Sequence, residues 1–108
     1  KTVRIEHRIS GGDVNPYVAM TAMLGAMLEG IDAAIMPPPP QDPKAPGQGR
    51  ALPVEWGAAI AAFAESDVAA RIFGARFRDI VVACKQQDRA AFLGHIDRFE
   101  YDTYLGLV

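Results

Sequence analysis

Several features that would narrow a function at once are scarce in this sequence. It holds one cysteine, Cys84, so an internal disulfide is excluded and a reduced, intracellular setting is expected. Charge of one sign is missing: 11 Lys and Arg stand against 13 Asp and Glu, a formal net charge of −2. That balance offers no electrostatic reason for nucleic acid or an anionic membrane as partner. No apolar run reaches the roughly 18 residues of a membrane-spanning helix. The nearest candidate, residues 18–36, is interrupted by Thr21, Glu29, Gly30 and Asp32. No signal-peptide pattern is visible either, so the expected location is cytoplasmic. The chain opens at Lys1 without an initiator Met, directly in an alternating pattern, and a fragment boundary is expected there. No internal repeat is found.

What is present is enough for one small domain: 108 residues, 50% of them hydrophobic, which argues against disorder throughout. In residues 2–9, TVRIEHRI, Val3, Ile5, His7 and Ile9 alternate with Thr2, Arg4, Glu6 and Arg8. Period two predicts a strand. SGGDV at 10–14 reads as a turn. Asn15-Pro16 is a helix start, and Tyr17, Met20, Leu24, Met27, Leu28 and Ile31 recur at helical spacing. The helix is predicted over 15–35, buried, with Ala19, Ala22, Gly25 and Ala26 small enough for another element to pack closely. Residues 37–50 hold six of the eight prolines and read as a connecting surface loop. Helices are predicted over 53–65, 67–73 (capped by Ser66, stopped by Gly74) and 76–104.

The expected class is therefore α+β, mostly α: one N-terminal strand followed by about four helices. A lone strand leaves its backbone groups unpaired on both edges, so its partners are expected outside these residues. On its polar face, Arg4, Glu6 and Arg8 stand at i, i+2, i+4, about 6.5–7 Å apart from one to the next. A carboxylate can take a divalent cation while flanking guanidiniums take phosphate or carboxylate oxygens, an arrangement suited to a metal-nucleotide. Spacing alone equally describes a solvated strand face with cross-strand ion pairs, the commoner case.

A resemblance weighs on that choice. RIEHR, a short turn, then NPYVAMTAMLGAMLEGI resembles the last strand and following helix of the glutamine synthetase catalytic domain. Arg4, Ile5, Glu6, Arg8, Asn15, Pro16, Tyr17, Gly30 and Ile31 match its pattern, with the family's interval from Arg8 to Asn15. Looser likeness continues through LPVEWGAAIAAFAESDVAARIFG to the closing FEYDTYLGLV. The resemblance implies a C-terminal segment of that domain. It implies that Glu6 binds the metal ion (Mg2+ or Mn2+), that Arg4 contacts the phosphates of ATP, and that Arg8 contacts the substrate glutamate and the transferred phosphoryl group. The implied activity is ATP-dependent joining of the glutamate γ-carboxylate to an amine through a γ-glutamyl phosphate, in a homo-oligomer. His7 between Glu6 and Arg8, and Ser10-Gly11-Gly12-Asp13 in the turn, depart from glutamine synthetases proper and are closer to γ-glutamyl-polyamine ligases such as glutamate–putrescine ligase. Glutamine synthetase using ammonia, and a non-catalytic relative serving as an interaction module, are the alternatives.

The remaining candidates read as structural. His7 falls opposite the charged row, and His95 on an apolar helix face; the two lack a third ligand for a metal. Cys84 reads as a core thiol. Met20, Met23, Met27 and Met36 are spaced like core fillers, with a Met-rich binding groove as the lesser alternative, and Asp13 reads as a turn or cap residue, with a substrate contact as the alternative. The isolated chain is expected to be inactive and to associate through apolar surface.

Overall fold

Helix α1 begins where the chain's own chemistry dictates. The Asn15 side-chain oxygen accepts from the backbone N–H of Tyr17 at 3.0 Å and of Val18 at 3.3 Å, and Pro16 supplies the fixed φ of a first helical turn. The computed structural model describes residues 2–40 and 51–107, and α1 runs Pro16–Asp32. It ends in a paired closure: Ile35 N–H donates to the Gly30 carbonyl at 2.9 Å and Ala34 N–H to that of Ile31 at 3.0 Å. Ala34 takes the left-handed conformation this requires, φ 48°.

Four further helices follow: α2 Trp56–Ala64, α3 Asp67–Phe73, α4 Ala75–Leu93 and α5 Arg98–Tyr104, with a 3-10 turn at Leu105–Leu107. Ser66 caps α3 by accepting from Ala69 N–H at 3.1 Å. Gly74 both ends α3 and opens α4 at φ 81°, ψ 142°, a conformation open essentially to glycine alone. Of the proline-rich loop expected over 37–50, residues 37–40 carry no regular structure and the remainder lies outside the described residues. None of the described helices is long and apolar enough to cross a membrane.

Two sequence expectations need correction. The α+β class is replaced by an all-helical one, because no strand forms among the described residues. Residues 2–8 are without regular structure, and no backbone hydrogen bond joins 2–9 to another described segment. The alternation is present but the ladder is not, and a strand exists only through its ladder. The single helix expected over 76–104 is broken at Gly94–Asp97. Gly94 N–H closes α4 on the Ala90 carbonyl, and the Asp97 side chain accepts from Glu100 N–H at 2.8 Å to start α5. A glycine and a good N-cap within four residues outweigh the continuing apolar period.

The helices pack in series: α1 on α3, α3 on α4, and α2 on α4. At the α2–α3–α4 junction Phe73 stacks on Phe77 with centroids 5.6 Å apart and meets Phe63 at a tilt with centroids 6.0 Å apart, and Trp56 meets Phe92 edge-on at 5.9 Å. Arg89 of α4 lies directly over Gly57 of α2, where a Cβ would come within 3.1 Å of its Nε. At the α1–α3 contact, Ile72 presses into Gly25 so closely that a Cβ there would stand 2.5 Å from its Cγ2. Beside it, Arg71 donates twice to the Glu29 carboxylate, at 2.8 and 2.7 Å.

This packing buries little. Among the described residues, Ile60 and Ala69 are the buried hydrophobic ones, and α1, expected to be a buried central helix, has no buried residue. The accessible surface is 9935 Å², whereas a compact monomer of this mass exposes about 5,800 Å². Side chains read as core fillers, Met20, Met27 and Met36 among them, are exposed; so are Cys84 and His95.

Two glycines of α1 give opposite predictions. Gly25→Ala should destabilise the protein by about 1–3 kcal/mol, since the added methyl overpacks against Ile72. Gly30→Ala, with nothing within 4 Å of the new Cβ, should stabilise it by about 0.5–1 kcal/mol through helix propensity. Urea unfolding midpoints measure both, and equal shifts at the two sites would remove the close α1–α3 contact.

The Arg71 hydrogen bonds hold the Glu29 carboxyl below its ordinary pKa. A depressed folded-state pKa adds stability that is present above the ordinary glutamate value and is lost as pH falls through the folded value. Glu29→Gln should therefore unfold more readily than wild type at neutral pH, with the difference closing at acid pH. A constant difference across the acid range in thermal melts would contradict this.

Candidate functional site

The charged row sits on the N-terminal arm, residues 2–9, which leads into the turn before α1. Arg8 Nε donates to Glu6 Oε1 at 2.9 Å, and both side chains are exposed. Residues i and i+2 reach each other in this way when they lie on one side of the chain. An exposed pair of this kind is worth about 0–1 kcal/mol, so a cation at Glu6 or an oxyanion at Arg8 can displace it at small cost. Arg4 is exposed on the same arm. The arm brings Glu6 and Arg8 into contact, shows no contact of Arg4 with either, and does not complete a site around them.

The turn is built for a tight reversal. Val14 N–H donates to the Gly11 carbonyl at 3.3 Å. The Asp13 carboxylate folds back over Gly11, where a Cβ would stand 2.7 Å from Oδ1, a contact that the exposed Asp13 side chain can relieve by rotating. Lys85 on α4 has its pKa raised chiefly by its hydrogen bond to Asp88, with a smaller contribution from Asp13. The Asp13 charge therefore lies within electrostatic reach of α4. Asn15, capping α1, fixes the far end of the same link.

On the other side of the arm, the His7 Nδ1 and Ser10 Oγ atoms are 3.4 Å apart, a long contact in hydrogen-bond terms. His7, Ile5 and Glu6 line a groove of about 870 Å³. Its other walls are α1, through residues such as Val18, Met23 and Met27, and the rings of Phe63 and Phe73. In the sequence, a Met-rich groove on this face is only the lesser alternative to core packing. The signal was there in the small and methionine-rich face of α1, but that face was assigned to a closed core.

Chemically, one carboxylate and two guanidiniums fit part of a metal-nucleotide site. Glu6 offers the oxygen that a hard divalent cation prefers, but such a cation takes about six oxygens or more. No group of three or more His, Cys, Asp and Glu that could hold a metal occurs among the described residues. Any ion held at Glu6 must draw its remaining ligands from elsewhere. His95 stands on the link after α4 and Cys84 on α4 itself, and no hydrogen bond joins either to Arg4, Glu6 or Arg8 among the described residues.

Comparison with known proteins gives a consistent pattern. Residues 1–104 match the family model for the glutamine synthetase catalytic domain. The chain is 32% identical over 105 residues to the gamma-glutamylputrescine synthetase PuuA of Escherichia coli (strain K12), covering 94% of this chain and 22% of that protein. It is 27% identical over 114 residues to a glutamine synthetase of Mycobacterium tuberculosis (strain ATCC 25618 / H37Rv), covering 96% of this chain and 25% of that protein. Over a shorter stretch of 40 residues, 37% of this chain and 9% of the relative, it is 42% identical to the gamma-glutamylethanolamide synthetase GlnA4 of Streptomyces coelicolor. No solved structure matches the chain. The chain spans a quarter or less of the length of these relatives.

Proposed function

The chain belongs to the glutamine synthetase catalytic-domain family, and from that membership we propose that it is the C-terminal part of an ATP-dependent glutamate–amine ligase. The observation that carries this reading is the Glu6–Arg8 pair: in a chain matching this family, a carboxylate and a guanidinium stand together on one side of an exposed arm, 2.9 Å apart. In the working enzyme the charged residues of the arm face the nucleotide.

Glu6 then contributes one ligand to a Mg2+ or Mn2+ ion, which when bound neutralises phosphate charge. Arg4 holds nucleotide phosphate oxygens. Arg8 gives up Glu6, binds the substrate glutamate and stabilises the γ-phosphoryl group as it leaves ADP. A glutamate γ-carboxylate oxygen attacks the γ-phosphorus of ATP, the bond to the β-phosphate oxygen breaks, and a γ-glutamyl phosphate forms. The amine nitrogen then attacks the acyl carbon, loses a proton and expels phosphate, leaving the amide. The arginines supply positioning and charge neutralisation, the chief requirements of phosphoryl transfer. The surplus accessible surface of this chain is covered, in this proposal, by the remaining polypeptide and by neighbouring subunits of a homo-oligomer. ATP and glutamate as substrates agree with a cytoplasmic location.

The amine is the finer question. Similarity to a gamma-glutamylputrescine synthetase over 94% of the chain favours a diamine larger than ammonia. Similarity to a glutamine synthetase over 96% of it supports ammonia as the second reading.

In the full-length protein, Glu6→Ala should abolish ATP turnover while circular dichroism stays unchanged; near-normal turnover would sink the role given to Glu6. Arg8→Ala should lower kcat about 10²–10³-fold, the usual loss on removing one charge-stabilising donor. An unchanged rate takes Arg8 out of the site.

Glutamate-dependent ADP release, measured with ammonia, putrescine and ethanolamine in turn, should be fastest with putrescine. Turnover with ammonia alone selects the glutamine synthetase reading. No release with any of the three, under glutamate, ATP and Mg2+, selects a non-catalytic relative.

A further inference from the structure

We draw no further inference here: the strongest candidate, the apolar groove between the N-terminal arm and α1, bounded by Met23, Met27, Phe63 and Phe73, carries nothing because no contact among the described residues shows what covers it.

Discussion

Every backbone N–H and C=O in an extended segment needs a partner, and a strand obtains its partners only from chain laid alongside it. Residues 2–9 have the side-chain pattern of a strand and no such neighbour among the described residues. The arm that carries Arg4, Glu6 and Arg8 is therefore held by its turn and by the cap at Asn15, not by a sheet. The position of the candidate half-site depends on this one constraint. So does much of the exposure around it, since the face of α1 beside the arm stays open along with the arm.

Behind the arm, the helices are tied by a few close contacts. Ile72 against Gly25 and Arg71 on Glu29 fasten α1 to α3. Gly74 turns α3 into α4, and the rings of Phe63, Phe73 and Phe77 fill the junction. These contacts orient α1, and α1 in turn fixes the end of the link that leads from the arm. A large apolar area is left open, including Tyr17 on α1, Phe99 on α5 and Leu107. Its extent agrees with a chain that matches a quarter or less of its relatives' length.

Legibility in the sequence followed the range of the interactions. Where one or two residues decide, as at Asn15, Ser66 and Gly74, local chemistry was enough to place a cap or a stop. The strand itself was misread because its existence rests on partners that no local pattern contains. The helix over 76–104 was drawn too long because the apolar period outlasts Gly94, while the Asp97 cap is a competing local signal that prevailed. The Arg71–Glu29 bridge joins residues 42 apart, and nothing in either neighbourhood announces it. Cys84 and His95 were assigned to a core on helical phase, and phase says which side of a helix is apolar without saying whether anything covers it.

The proposed half-site depends on the arm gaining a fixed position when the rest of the protein is present. Amide hydrogen exchange at residues 3–8, compared between the 108-residue chain and the full-length protein, tests it directly. Rapid exchange is expected in the chain alone, and strong protection of the same amides in the full-length protein. Equally rapid exchange in both would contradict it, because a row of charges on an unpaired arm has no fixed geometry with which to hold a metal-nucleotide.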